Sequence, residues 1–362
     1  MKFLHLSDIR LGNSAESGTR WETDRLGELE EGLRRVLAEA EAGGAELILI
    51  SGGLFSHVPV SSELEELARV FAEYPAIEVC ITGGATDPVR PSSPVRSFSW
   101  PANVHCAADG GVQHFLLERL DTEVFAASVT ELGCALPAEV RDAAEALSKE
   151  REHAPRIRIA VLSEGKDEDL IKAFRDAGFT YVAAGGSQER RDIGPAIRCP
   201  GYFEPEKLGD SGSHGLFEGS ISPRSGRLES LEFKPMASAA YVPLLVKTTT
   251  RTTAEEVAAL IRKEIERRGS ANIYRIKLTG TRAPEVRFDL GPIRAEFRVS
   301  EVIDETEPEY DFRELFAAHP QDLIGFYVTK LASDNHEMSR LEKRAMYYGL
   351  DTLIRSSEET KS

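Results

Sequence analysis

Short apolar runs alternate with amphipathic stretches through the first two-thirds of the chain. The opening MKFLHLSD predicts a strand, and residues 25–42 predict a helix with Leu29, Leu33, Val36, Leu37 and Ala40 as its apolar stripe. Gly43 and Gly44 follow as its stop signal. ELILIS, an apolar run bounded by polar residues and glycine, predicts a buried strand. Ser61, Ser62 and Glu63 open the next helix, IEVCITGG is a further strand, and residues 121–128 add another. RIRIAVLSEG, a helix near 167–177 and YVAAGG continue the alternation, and 202–233 reads as a loop plus a closing hairpin. Beyond a linker at 235–240 lies a smaller α+β pattern. It has a strand at 241–247, a helix whose Thr253-Ala254-Glu255-Glu256 start resembles a capping box, a strand at 273–278 and further strands to Val302. After Asp304 the pattern turns helical, with Phe312, Leu315, Phe316, Leu323, Ile324, Phe326 and Tyr327 as apolar positions. The last helix carries Met338, Leu341, Met346, Tyr347, Leu350 and Leu353, and the terminal SSEETKS reads as a polar, frayed tail. Helical stripes of this kind pack within their own chain or dock a partner, and both readings stand.

Composition narrows the class. A chain of 362 residues can hold a large core and one or two small domains. With 41% hydrophobic residues, no bilayer-length apolar run and no signal-peptide pattern, a cytoplasmic protein is expected. Cys80, Cys106, Cys134 and Cys199 are scattered without CxxC spacing, which fits reduced thiols and gives no zinc motif. The net charge of −16 works against sequence-independent nucleic-acid binding, which rests on Lys and Arg neutralising phosphates. Local basic clusters remain at Arg190 and Arg191, and at Arg262, Lys263, Arg267 and Arg268. The second is interspersed with Glu on a helix and reads as a solvated face.

Five predicted strands end in polar or glycine-rich loops, and these loops carry a resemblance. ITGGATDP at 81–88 aligns without a gap to the ITAGNHDP-like loop of binuclear metallophosphoesterases. In that family the Asn is a metal ligand and the His acts on the phosphate; here Ala85 and Thr86 hold those places, and Asp87 matches. MKFLHLSDIRLG resembles the opening D-x-H motif, with Asp8 kept and Arg10 at the histidine. ELILISGGLFSH resembles the GDLFD strand end, with Gly53 for the bridging Asp and Ser56 for the second. Ser163 in RIAVLSEG stands where a His is expected, and in YVAAGGSQ Gly186 and Gln188 replace both histidines of a G-H-x-H loop. Residues 272–290, 303–312 and 342–354 are similar to the tail of the YhaO-like branch. The chain is thus identified as similar to SbcD/YhaO-type DNA-repair nucleases of the calcineurin-like phosphoesterase superfamily.

The resemblance implies a four-layer α/β fold, a metallophosphoesterase-type β-sandwich flanked by helices. It places a metallophosphoesterase-like domain at 1–235, an α+β capping domain at 241–303 and a C-terminal helical segment at 304–356. Family members use two divalent metals, typically manganese, about 3.5–4 Å apart to clamp the attacking and leaving oxygens. Of seven inherited ligand positions only Asp8 keeps its ligand; the others are Arg10, Gly53, Ala85, Ser163, Gly186 and Gln188. Gly and Ala offer no side-chain donor, and a guanidinium has no acceptor and stays protonated. An Asp8–Arg10 ion pair is expected in place of the metals, repelling cations. No catalytic residue, metal or cofactor is expected. A rearranged single-metal set would draw on Asp8, His57 and Asp87, with His5 and Glu164 nearby, although His5 reads as packed and His57 as a loop residue.

The expected function is a catalytically degenerate, SbcD/YhaO-like scaffold or binding subunit. An SMC-like coiled-coil ATPase is the expected partner, with DNA and a homodimer as further possibilities. One alternative is a metal-dependent DNA exo- or endonuclease with a residual site. Another is a regulatory module that holds a phosphorylated ligand in the emptied cleft through Arg10 and backbone amides. The double glycines leave open whether that cleft is open or collapsed.

Overall fold

The computed structural model describes residues 1–13, 17–150, 155–210, 212–332 and 339–359. The chain divides into two compact units, Met1–Ala240 and Tyr241–Ser362. The first contains, in order, β1 (Lys2–Leu6), α1 (Glu22–Gly43), β2 (Leu47–Ser51), α2 (Ser61–Ala72), β3 (Glu78–Thr82), β4 (Val104–Ala107), β5 (Val112–Leu117) and β6 (Thr122–Ala127). There follow α3 (Pro137–Glu150), β7 (Ile157–Leu162), α4 (Asp167–Phe174), β8 (Tyr181–Ala184), β9 (Arg191–Gly194), β10 (Ile197–Cys199), β11 (Gly215–Ile221) and β12 (Leu228–Pro235).

These strands form two six-stranded sheets, ordered β12-β11-β1-β2-β3-β4 and β5-β6-β7-β8-β10-β9. The period-2 alternation of strand side chains sorts the core into layers. Leu4, Leu6, Ile48, Ile50 and Ile81 meet Leu33, Val36, Leu37, Leu67 and Phe71 of α1 and α2. Their neighbours Phe3, Leu47, Leu49 and Cys80 turn the other way, onto Val124, Ala126, Ile159, Val161 and Tyr181 of the second sheet. The far side of that sheet packs Phe125, Ala160, Leu162 and Val182 on Val140, Ala144, Leu170 and Phe174 of α3 and α4. The result is the expected α/β/β/α sandwich, with parallel central strands buried on both faces, which is why they read as continuous apolar runs. Gly44 closes α1 as expected, at φ 69° with its amide on the Ala40 and Glu41 carbonyls. The closing hairpin is β11 and β12, with β11 antiparallel to β1.

The second unit has a parallel sheet, β13 (Tyr241–Thr248), β14 (Ile273–Arg282) and β15 (Val299–Pro308), with crossovers α5 (Ala254–Arg268) and α6 (Gly291–Glu296). Thr253 and Glu256 form the expected capping box of α5: Thr253 Oγ1 accepts from the Glu256 amide at 3.2 Å, and Glu256 Oε2 from the Thr253 amide at 3.0 Å. Three helices follow: α7 (Phe312–Ala318), α8 (Leu323–Ala332) and α9 (Arg340–Glu359). Tyr310, Ile324, Val328, Met346 and Leu350 are the centre of their core.

Two expectations need correction here. The chain does not turn helical after Asp304, because β15 continues to Pro308. Its acidic run belongs in the sheet because β14 answers it, with Arg275–Glu301 at 2.7 Å and Lys277–Glu305 at 3.0 Å. The tail reads as frayed, yet 356–359 continue α9, while 360–362 and Met338 lie outside the described residues. No helix among the described residues is long and apolar enough to cross a membrane.

Candidate functional site

The five motif loops all leave the carboxyl ends of parallel strands: Asp8 after β1, Gly53 after β2, Asp87 after β3, Ser163 after β7 and Gly186 after β8. Parallel register brings such ends together, which is where α/β folds build sites. The loops converge here and meet backbone to backbone. The Asp8 amide donates to the Gly52 carbonyl at 2.9 Å and the Arg10 amide to that of Gly53 at 2.8 Å. A Cβ on Gly53 would lie 2.5 Å from Asp8 Oδ1, one on Gly84 2.4 Å from the Gly53 nitrogen, and one on Gly185 1.7 Å from the Ser51 carbonyl oxygen. The glycines therefore let the loops pack directly on one another at these strand ends.

Asp87 fastens this packing. Its Oδ1 accepts from the amides of Gly53 (3.1 Å) and Gly84 (2.6 Å), and its Oδ2 from that of Phe55 (3.0 Å). Burial raises the affinity of its carboxylate for a proton, and these amides pull the other way. Thr86 Oγ1 donates to the Phe55 carbonyl at 2.7 Å, so the second half of the ITGGATDP loop is an internal clasp. Ala85 is exposed between them.

Asp8 and Arg10 both sit in the left-handed region, at φ 47° and 58°, where non-glycine residues are uncommon. The expected Asp8–Arg10 ion pair does not form. Arg10 Nη1 instead reaches Glu206 Oε2 at 2.9 Å, and its guanidinium lies 5.0 Å from the centre of the Tyr202 ring. Asn13 Nδ2 holds the other Glu206 oxygen at 2.6 Å. Desolvation, then the charge of Asp87, push the Asp8 pKa up to about 7, although Arg10, the Gly186 amide and the Ser7 hydroxyl draw it down. Its Oδ2 is sealed from solvent with no hydrogen-bond partner. Burial likewise raises the pKa of Glu206, against the pull of Arg10.

Sequence reasoning passed over the segment that holds Arg10. Phe203 donates its amide to the Asp8 carbonyl at 3.2 Å and packs under α1, where a Cβ on Gly32 would stand 2.8 Å from its ring. Glu204 pairs with buried Arg25 of α1 at 3.4 Å and accepts from the Ser238 amide at 2.5 Å. Glu206 thus stands on an anchored loop, and nothing local in YFEPEK marks it as the partner of a residue 196 positions away.

The remaining candidates scatter. His5 is fully buried, as expected, with Nδ1 2.8 Å from Tyr181 Oη and Nε2 2.8 Å from Ser51 Oγ. Burial lowers its pKa to about 3. His57 is exposed and bonds Glu63 at 2.9 Å, with Ser56 Oγ 3.2 Å from its other nitrogen. Ser163 is buried with Oγ on the Ala127 carbonyl at 3.3 Å, and Gln188 is exposed with Nε2 3.4 Å from Tyr202 Oη. Glu164 is exposed beside Gly186. Among the described residues no three His, Cys, Asp or Glu side chains come together to hold a metal ion. At the positions that the resemblance assigns to metal ligands, the donors present do not fit a two-metal centre: Asp8 is the one carboxylate among them, and a Cβ at Gly53 would stand 2.5 Å from its Oδ1. The basic clusters are mostly answered within the chain. Arg191 pairs with Asp167, Arg190 stacks 4.8 Å from the centre of the Phe233 ring, Arg262 pairs with Glu296 at 2.8 Å, and Arg267 and Arg268 share Glu264.

No protein-family description and no curated protein matches the chain. Among solved structures it is similar to the protein TT1561 of Thermus thermophilus, at 13% identity and a TM-score of 0.40, over 64% of this chain and 98% of that one.

Proposed function

We propose that this chain is an SbcD/YhaO-like metallophosphoesterase homologue that does not hydrolyse phosphodiesters by a two-metal route and works as a binding or scaffold subunit. The observation behind this reading is the close packing at Gly53. A bridging carboxylate there would need a Cβ 2.5 Å from Asp8 Oδ1, in a loop whose amides are already bound by Asp87. Two-metal hydrolysis needs several oxygen or nitrogen donors per ion and a carboxylate between them. A regulatory phosphate site in the same place has less support, because the Arg10 guanidinium is engaged by Glu206 and Tyr202. By the motif resemblance, the partners proposed are an SMC-like coiled-coil ATPase and DNA. The measure of this reading is hydrolysis of single- and double-stranded DNA, and of a chromogenic phosphodiester, in manganese. No turnover above a metal-only blank is expected. Hydrolysis that disappears in Asp8→Ala would return the chain to the nucleases.

A further inference from the structure

In the second unit an edge strand and the last helix stand on either side of a groove. β15 ends the three-stranded sheet, and among the described residues no strand pairs with its outer edge. It runs for 10 residues, longer than most strands, so that edge holds a long row of unpaired amides and carbonyls. The Thr306 amide donates to Asp304 Oδ1 of its own strand at 2.9 Å, which marks the outward-facing set, and the amides of Val302 and Asp304 are in step with it. Residues 304–308 and, on α9, Arg344, Tyr347, Tyr348 and Thr352 line a cavity of about 300 Å³. A clamp fixes its width. Asp351 of α9 is held by Arg287 at 2.6 Å, by the Tyr310 hydroxyl and by Arg282 at 3.8 Å, which ties the helix to the ends of β14 and β15. An edge strand beside a groove is the geometry in which an extended segment adds to a sheet through main-chain hydrogen bonds, its alternate side chains filling pockets. Five residues of strand give this groove a length of about 17 Å.

The charges left over select the occupant. Asp351 and Arg282 are engaged in the clamp, and Glu305 pairs with Lys277 at 3.0 Å. The carboxylates of Glu307 and, just past the groove, Glu309 have no hydrogen-bond or ion-pair partner among the described residues. Asp304 uses only its Oδ1, on the amide and hydroxyl of Thr306. Both glutamates lie close to Tyr347: burial first, and then their charges, raise the pKa of its hydroxyl. Against these acids stands Arg344, the one cation of the groove without such a partner among the described residues. Carboxylates along an open edge repel an acidic strand and attract a basic one, because cross-strand pairs of opposite charge add to the main-chain bonds. Tyr347 and Tyr348 offer ring faces on which a Lys or Arg head can lie.

We infer that this groove binds an extended basic segment of a partner protein, added to β15 as a fourth strand with Lys or Arg side chains at Asp304 and Glu307. Arg344, on the helix wall, then donates to a main-chain carbonyl of that segment. The inference is independent of whether the strand-end loops of the first unit bind metal.

Fluorescence anisotropy of the full-length protein tests it with short labelled peptides of alternating Lys and Val, alternating Glu and Val, and alternating Lys and Pro. The last keeps the charge and cannot supply a full ladder of amides. The Lys–Val peptide is expected to bind with a Kd of about 100 µM, and the other two at least ~10-fold more weakly. Glu307→Lys should weaken the Lys–Val peptide by about 10-fold, with circular dichroism unchanged at this partly exposed position. Hydrogen exchange places the contact separately: the bound peptide should protect the amides of Val302 and Asp304. No saturable binding of the Lys–Val peptide at about 1 mM, equal binding of the Lys–Pro peptide, or protection confined to elements other than β15 would each overturn the inference.

Discussion

Replacing Asp8 with asparagine is expected to stabilise the protein, and to do so more as the pH rises. Asp8 Oδ2 is sealed from water without a partner, and Asp87 adds a second negative charge nearby. The fold therefore holds the carboxyl better protonated, with its pKa raised from an ordinary 3.8 to about 7. The sign follows from proton binding: between those values the folded protein holds more protons than the unfolded chain, so stability falls as pH rises. The stabilising contribution of the protonated form is complete below pH 3.8 and lost by the time the pH passes about 7. At about 1.4 kcal/mol for each tenfold change in proton affinity, the ceiling on that loss is about 4 kcal/mol. Solvent at the partly exposed side chain and backbone relaxation bring the expected gain for Asp8→Asn to about 1–2 kcal/mol at pH 8. Asparagine also suits the backbone, because it enters the left-handed region that Asp8 occupies at φ 47° more readily than most residues.

The assay is denaturant unfolding of both proteins from pH 5 to pH 8. His5 acts in the opposite sense, since its neutral form is stabilising and is lost as the pH drops from 6.5 towards 3. It is common to both proteins and cancels in the difference. A difference that grows from pH 5 to pH 8, and that manganese leaves unchanged, is expected. Destabilisation by Asp8→Asn at pH 8, or an equal effect at both ends, would refute the reasoning.

Other perturbations separate the parts of the same structure. Asp87→Ala leaves the buried amides of Gly53, Gly84 and Phe55 without an acceptor and should cost about 3–5 kcal/mol in chemical denaturation, whereas Asp87→Asn, which keeps one acceptor oxygen, should cost about half as much. Gly53→Asp puts a carboxylate where the motif resemblance expects a bridging one. At φ 65°, with its Cβ driven against Asp8, it should lower the melting temperature by several degrees and give no manganese-dependent stabilisation. Thr253→Ala removes the cap of α5 and should cost the second unit about 1 kcal/mol, read by hydrogen exchange of the α5 amides.

The layered core was legible because parallel strands buried on both faces print continuous apolar runs, as ELILIS and RIRIAVL do. Strands such as β5, half-exposed and antiparallel at a sheet edge, carry no such signal, and β15 hides its strand character in acidic residues matched by Arg275 and Lys277. At the strand ends, the sequence marked the loop positions, and the structure brings those loops together. The sequence left open whether the double glycines lined a cleft or closed one, because closure depends on contacts between loops over a hundred positions apart, as between Gly185 and Ser51. The Asp8–Arg10 pairing failed for the same reason. Charges two positions apart read as partners until a half-buried glutamate from a distant loop competes for the guanidinium, and Glu206 wins by also accepting from Asn13.

The most direct test of the proposal that these loops hold no two-metal centre is manganese titration of the purified full-length protein by calorimetry at neutral pH, with metal content measured beforehand. Expected are no stoichiometric metal and no saturable heat. Tight binding of one or two ions per chain would mean that the strand-end loops open to form a centre, and would contradict the claim.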